Sequence, residues 1–367
     1  MTRILFIQPG YAHYRDDLFA LLSQRHAIHI LFEKSKNTYP GKEAPKEIDY
    51  TFVDKNFRIN VIGLVYYLFK YDFDVVITSV STSLRTIISF FYAMLCRKKF
   101  ILWILEWKKP IYKKKDIKYS FRIIRHWLGK KIIINSNALV VGGTAARNYA
   151  LSLGKREEDI FVAPQCSKDI QNEKQEFNKA KIKKNKYTFL FLSRIISWKG
   201  LDKLIKAFYL LRKKRNDVSL LIAGDGPLKE FCVDLCESRK SPDIQFMGSI
   251  TPDKTKQVYE KGDIFVLPSY ELDNYYEAWG LVVNEAMSMK LPVITTTAVG
   301  ASFDMIIDGY NGFVVQADNI SELYQAMNKV LGCDLIQMGI NSRKVFDEKN
   351  DYAKMANGFT DAIVHVD

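Results

Sequence analysis

Residues 263–296 read "DIFVLPSYELDNYYEAWGLVVNEAMSMKLPVITT". The stretch opens with an apolar, β-rich segment that ends at Ser269 and passes through a tyrosine-rich loop. A helical composition follows from Gly280, and a second apolar segment closes at Thr296. Strand, helix and strand in that order make a βαβ unit, and repeated βαβ units build parallel sheets. The alternation continues on both sides. Residues 187–315 hold "YTFLFLS", "SLLIAG", "IQFMGS", "DIFVLP", "LPVITT" and "NGFVV"; residues 1–164 hold "RILFI", "IHILF", "DVVITS", "FILWIL", "ALVVGG" and "DIFVAP". The polar, lysine-rich "CSKDIQNEKQEFNKAKIKKNK" lies between them and reads as a linker. The expected fold class is therefore α/β, with two doubly wound Rossmann-like domains facing a central cleft. The expected boundaries are 1–165 for the N-terminal domain, 166–186 for the linker and 187–345 for the C-terminal domain. A terminal helix over 346–367 is expected to return toward the N-terminal domain. Ligands of such sheets bind outside the carboxyl ends of the strands.

Composition narrows the classes. A chain of 367 residues is long enough for two buried cores. Five cysteines form no CxxC pair, and an odd count without a signal peptide points to a reducing cytoplasm. Cys232 and Cys236 are spaced i,i+4 but lack accompanying histidines, so they read as buried thiols and no metal site is expected. The longest apolar runs, near Ile87–Cys96 and Phe100–Trp107, are interrupted by Arg97, Lys98 and Lys99, short of the ~20 residues that cross a bilayer. Residues 1–165 carry 27 Lys and Arg against 14 Asp and Glu, whereas residues 166–367 carry 27 of each. The whole surplus of +13 thus belongs to the first half, which calls for an anionic partner there.

Two clusters carry chemistry. In the opening stretch, Glu277 precedes the helix and Glu285 lies within it. Gly280 admits a close ligand, and the amides of Gly280, Leu281 and Val282 are first-turn donors suited to a phosphate. One acid for a sugar hydroxyl and one for a ribose would fit a nucleotide sugar. The same spacing also suits an acid placed by the helix dipole and a surface glutamate. Upstream, "FLFLSRIISWKG" places Arg194 and Lys199 at the carboxyl end of a strand, where a guanidinium fork and an ammonium would hold a diphosphate and stabilise it as a leaving group. A solvated basic turn is the plainer alternative. "AGDGPLKE" is a fragment of a dinucleotide fingerprint, but Lys229 stands at the third glycine and the segment follows the second strand of its half, against a nicotinamide enzyme.

The second half resembles the retaining nucleotide-sugar glycosyltransferases of family four, which have the GT-B fold. "SRIISWKG", "LLIAGDGPL", "IQFMGSI", "DIFVLPS", "EAWGLVVNEAM", "LPVIT" and "DGYNGFVV" occur in the family's order. The first half is similar in outline, at "ILFIQPGYAHYRDDLF" and "SLGKREEDIFVAPQ". The resemblance implies that Arg194 and Lys199 contact the donor diphosphate and Glu277 faces the donor sugar. Glu285 would hold the ribose hydroxyls, and Gly280, Leu281 and Val282 would give amides to phosphate. Backbone near Ser249 and Ile250 would face the base, and Gly10 would approach the diphosphate from the first domain. It further implies retention of configuration, no metal, no cofactor, and a uridine or guanosine diphosphate sugar as co-substrate.

The chain departs from the family in three places. "YELDNYY" lengthens the loop before Glu277 and would select a sugar or acceptor by stacking, or pack on the neighbouring domain. Lys290 replaces a common glycine. After the fourth strand of the first domain, where many members have a histidine, "FILWILEWKK" offers Glu106; His13 is the other candidate for that role. Pairing of Glu106 with Lys108 or Lys109 is the plain alternative. In the basic half, "DIKYSFRIIRHWLG" places Ile117, Phe121, Ile124 and Leu128 at helical spacing with Lys118, Arg122 and Arg125 around them, and "KKPIYKKK" lies upstream. Such a helix suits an anionic membrane surface, or packs on a core with a solvated basic face. No module for nucleic acid is present. The expected protein is a cytoplasmic glycosyltransferase at the inner membrane face, acting on a lipid-linked or growing glycan acceptor in cell-surface polysaccharide synthesis. The alternatives are a GT-B nucleotide-sugar epimerase and an inactive donor-binding relative.

Overall fold

The computed structural model describes residues 1–33, 49–53, 57–108, 119–171, 186–238, 243–273 and 275–367. Most of the linker segment, and all of "KKPIYKKK" except Lys108, lie outside these residues. The chain forms two compact units, one of residues 1–166 with 351–367 and the other of residues 167–350.

The first unit is built on β1 (Arg3–Gln8), β2 (Ala27–Glu33), β3 (Tyr50–Val53), β4 (Val75–Ser79), β5 (Lys99–Ile104), β6 (Ala138–Val141) and β7 (Ile160–Val162). All pairings are parallel, in the order β3-β2-β1-β4-β5-β6-β7. Six of these strands coincide with the apolar runs of the sequence. The seventh, β3, is only four residues long and pairs with β2 alone, so it carries too little periodicity to stand out. The crossovers are α1 (Asp16–Ser23), α2 (Phe57–Lys70), α3 (Leu84–Leu95), α4 (Tyr119–Asn135) and α5 (Thr144–Ser152). The strands are apolar on both faces because helices cover both.

The second unit repeats the plan with β8 (Tyr187–Leu192), β9 (Val218–Ala223), β10 (Ile244–Gly248), β11 (Ile264–Leu267), β12 (Val293–Thr296) and β13 (Gly312–Val315), ordered β10-β9-β8-β11-β12-β13 and again all parallel. Its helices are α6 (Leu201–Arg212), α7 (Lys229–Glu237), α8 (Thr255–Lys261), α9 (Leu281–Ser288), α10 (Ser302–Met305), α11 (Ile320–Val330) and α12 (Leu335–Lys349). One face of the sheet packs Phe189, Phe191 and Ile222 against Leu204, Phe208 and Met327; the other packs Leu190, Phe265 and Leu267 against Val283, Met287 and Phe346. Cys232 and Cys236 are buried in the first of these layers, and burial pushes the Cys232 thiol up to about 12.

The last helix, α13 (Tyr352–Val366), belongs to the first unit. Asp351 caps it by accepting from the amides of Ala353 and Lys354. Its buried face sets Phe359 edge-on to Trp103 of β5, with ring centroids 4.9 Å apart. Gly358 lets the helix approach β7, since a Cβ there would sit 2.3 Å from the Val162 carbonyl oxygen. In both sheets the strand order reverses beside the first strand, next to β1 and next to β8. The loops after β1 and β4, and after β8 and β11, therefore lie at the switch points where doubly wound sheets take ligands.

Candidate active site

Two loops meet at the switch point of the second unit. The loop after β8 ends in a short 3-10 turn, Ser197–Lys199, and Gly200 at φ 74° starts α6. A Cβ on Gly200 would lie 2.1 Å from the carbonyl oxygen of Pro268, so this glycine is what lets the turn rest on the loop after β11. The glycines of "AGDGP" serve the same loop. Side-chain carbons at Gly224 or Gly226 would run into the carbonyl oxygens of Ser193 or Ile195, at 1.9 and 2.3 Å. Ile195 in turn donates its amide to Asp225 O at 2.8 Å and accepts from Leu228 at 3.1 Å. The segment braces the loop that carries Arg194 and Lys199.

The loop after β11 returns past the next strand. Glu277 forms a parallel bridge with Val299, donates its amide to Ala298 O at 3.2 Å and accepts from Gly300 at 2.9 Å. This fixes the backbone just before α9, whose cap is Gly280 at φ 98°. The first-turn amides of Leu281 and Val282, with Gly280, have no acceptor within their own helix.

These two loops bring Lys199 and Glu277 together. Lys199 Nζ forms an ion pair with Glu277 Oε2, and the two side chains are only 9% and 13% exposed. A pair this sheltered is held by geometry rather than by surface attraction. Arg194 is exposed on the same loop. Trp198, beside Lys199, stacks on Tyr275, two residues before Glu277; the rings are 7° from parallel with centroids 6.4 Å apart. Tyr275 of the "YELDNYY" loop thus packs on Trp198 of its own unit. Trp198 stands in "SRIISWKG" and Tyr275 in "YELDNYY", but their pairing carries no sequence signal because 77 positions separate them.

Glu285 sits further along α9 on a different support. Tyr259 Oη of α8 donates to Glu285 Oε2 at 2.9 Å. Although part of the Glu285 side chain reaches solvent, desolvation pushes its carboxyl up to about 7, against the opposing pull of the Tyr259 hydroxyl. Burial also holds the Tyr259 phenol well above its ordinary range. Tyr259 is fully buried in an ordinary-looking helix and carries no signal in the sequence. Ser249 is exposed and Ile250 partly buried just after β10, where Gly248 turns at φ 72°. Lys290 closes α9 at φ 56°, a left-handed position, and its carbonyl faces Gly339 of α12.

In the first unit, Gly10 and His13 lie in the loop after β1. Arg15, in the same 3-10 turn as His13, reaches Gln8 and stands 4.3 Å from the Trp103 ring centroid. Glu106 follows β5 and turns to the neighbouring β4–α3 loop. It accepts from the Ser81 amide at 2.9 Å and the Ser81 hydroxyl at 3.2 Å. Burial raises the Glu106 carboxyl against these donors. Among the described residues Ser81 is the partner shown for Glu106; Lys108 lies 4.7 Å from the Trp107 ring centroid, and a pairing with Lys109 falls outside the described residues.

The outer surface of the same unit is apolar in patches. On α4, Phe121, Ile124 and Trp127 are 60%, 54% and 56% exposed, while Leu128 is partly buried. Adjacent helices present Met94 and Leu95 of α3 and Ile62, Tyr66 and Phe69 of α2, all largely exposed. Lys130 and Lys131 are exposed beside them. Arg125 is turned inward and donates to the Thr82 carbonyl at 2.9 Å, so it holds the β4–α3 turn. Ile117, Lys118 and the Arg122 side chain lie outside the described residues. Among the described residues no helix is long and apolar enough to cross a membrane, and no three His, Cys, Asp or Glu side chains gather as metal ligands.

Known proteins resemble this chain in sequence and fold. The family model described as glycosyl transferases group 1 matches residues 172–350. An uncharacterized glycosyltransferase of Methanocaldococcus jannaschii is 26% identical over 303 residues, 80% of this chain and 73% of that protein. The capsular polysaccharide biosynthesis glycosyltransferase CapM of Staphylococcus aureus is 23% identical over 258 residues, 69% of this chain and 62% of CapM. Among solved structures, Anabaena HepE in complex with UDP matches with a TM-score of 0.72 at 15% identity, covering 99% of this chain and 100% of HepE. That likeness establishes the fold as GT-B, with two Rossmann-like domains. In this GT-B chain, residues 172–350 are thus similar to the glycosyl transferases group 1 family.

Proposed function

We propose that this chain is a retaining, metal-independent glycosyltransferase of family four that moves a sugar from a nucleoside diphosphate to a lipid-linked or growing glycan acceptor. The observation that carries the reading is the sheltered Lys199–Glu277 pair at the mouth of α9, where both switch-point loops converge. An ammonium has three donors, so Lys199 can keep Glu277 and still donate to a diphosphate. Arg194, exposed on the same loop, would close on the diphosphate as a fork, and the amides of Gly280, Leu281 and Val282 would meet it from α9. Glu277 would accept from hydroxyls of the transferred sugar, and Glu285 from those of the ribose. Ser249 and Ile250 would lie along the base, and Gly10 would approach the diphosphate from the first domain.

As the sugar–phosphate bond breaks, negative charge grows on the leaving diphosphate. Lys199 and the helix amides would stabilise that charge without rearranging, joined by Arg194 once it has closed on the diphosphate. The departing phosphate oxygen would then take the acceptor proton on the same face of the sugar. Either the Ser81-bound Glu106 or His13 would supply the first domain's group for the reacting sugar. Uridine or guanosine diphosphate sugars are the proposed donors; HepE is known with UDP and with UDP-glucose. CapM acts in capsular polysaccharide biosynthesis, which supports a cell-surface glycan as product. The exposed apolar and basic residues of α2, α3 and α4 support peripheral contact of the first domain with an anionic membrane on its cytoplasmic side.

The test is transfer by wild type and by Glu277→Gln and Lys199→Met, after screening UDP- and GDP-sugars by thermal shift. Wild type is expected to gain stability with one donor and to release nucleotide only when acceptor is present. Both variants are expected to lose at least 100-fold in turnover. Full activity in either variant, or turnover of donor to an epimer without acceptor, overturns the reading.

A further inference from the structure

The loop before Glu277 is a small hairpin. Leu272 and Tyr275 exchange backbone hydrogen bonds at 3.0 and 2.9 Å around a turn in which Asp273 takes φ 55°. Its base is tied to the loop after β8, since Tyr270 donates its amide to Trp198 O at 2.9 Å. The same two segments carry two cross-pairs: Trp198 with Tyr275, by stacking, and Lys199 with Glu277, by charge. The hairpin is therefore held in register with the ion pair.

Tyr275 nevertheless remains 63% exposed. Its ring lies on Trp198, while Lys199 Nζ stands 4.7 Å from the Trp198 centroid. A large aromatic at the surface, backed by a second aromatic, has few rotamers to lose when something lands on it. Two residues along, Glu277 supplies a carboxylate. An aromatic face beside a carboxylate matches a pyranose, whose axial C–H groups form an apolar face and whose hydroxyls donate at its edge.

We propose that Tyr275, backed by Trp198, is a stacking platform for the pyranose ring that reaches Glu277, and that it sets sugar specificity. The proposal rests on the donor-binding role given above to this unit. The ring belongs either to the donor sugar or to the acceptor sugar, and the experiment separates the two.

Full-length wild type, Tyr275→Ala, Tyr275→Phe and Trp198→Ala are titrated calorimetrically with UDP, UDP-glucose, GDP and GDP-mannose, and the KM for donor and for acceptor is measured in transfer. If the donor sugar is stacked, Tyr275→Ala weakens the sugar nucleotide about 10-fold while bare UDP or GDP stays within 2-fold. If the acceptor sugar is stacked, donor affinity holds and acceptor KM rises at least 5-fold with kcat little changed. In both cases Tyr275→Phe behaves as wild type, and Trp198→Ala shows a smaller loss in the same quantity. Equal loss of bare nucleotide and sugar nucleotide would assign Tyr275 to the base or to loop stability and overturn the proposal. So would unchanged values throughout, or a Tyr275→Phe variant as weak as Tyr275→Ala. Wild type that binds none of the four nucleotides would instead overturn the donor role itself, and the platform with it.

Discussion

Removing the charge of Glu285 is expected to stabilise the protein, and to do so only above mildly acidic pH. The carboxyl is moved from the ordinary glutamate value of 4.5 to about 7 because its surroundings desolvate the charged form. A carboxyl raised on folding makes the folded state bind the proton more tightly than the unfolded state does. Stability is therefore fully present below about 4.5 and is lost as pH rises toward about 7. At about 1.36 kcal/mol per pKa unit, the loss is about 3 kcal/mol once both states are ionised. Part of the side chain reaches water, so this is an upper bound. Glu285→Gln keeps an oxygen to accept from Tyr259 Oη but cannot ionise. Urea unfolding of wild type and variant between pH 4.5 and 8 measures the difference directly. The variant should gain relative to wild type mostly between pH 5 and 7, by up to about 3 kcal/mol, and the gain should level off above pH 7. A difference that stays flat over this range, or wild type gaining on the variant as pH rises, would refute the desolvated site. If Glu285 also holds ribose hydroxyls, the stabilised variant should bind UDP more weakly, so stability and affinity move in opposite directions.

The other predictions concern the same unit and the outer surface. Lys199→Met leaves the Glu277 carboxylate without its cation and should cost about 3 kcal/mol by urea unfolding, with much of the loss recovered when Glu277→Gln is added. Arg194→Ala, by contrast, changes an exposed side chain and should leave stability within about 0.5 kcal/mol while raising donor KM, a split that kinetics and unfolding together would read. Gly200→Ala meets both a left-handed φ and the Pro268 carbonyl, so thermal unfolding should show a loss of at least about 2 kcal/mol. Sedimentation with anionic vesicles should show binding that weakens as salt rises and falls in a Phe121→Ser, Trp127→Ser variant; binding unaffected by either would remove the membrane role of α4.

The strands and helices of both sheets were legible because buried parallel strands are nearly continuous apolar runs and the crossovers between them are long enough to show helical composition. β3 escaped for the opposite reason, being four residues with one neighbour. Lys199 and Glu277 were each visible from local context, a lysine-glycine turn after one strand and an acid before a helix. That they pair is a fact of three dimensions, since it depends on β8 and β11 lying side by side although 78 residues separate the two partners. The same holds for Trp198 under Tyr275, Tyr259 against Glu285 and Ser81 on Glu106. The sequence by itself determined the α/β class, the two-part plan and the chemical types gathered near strand ends, because periodicity and composition are local properties. Which side chains shelter one another, and so which charges are desolvated and which ring faces stay open, was decided only by the strand order that brings distant loops together.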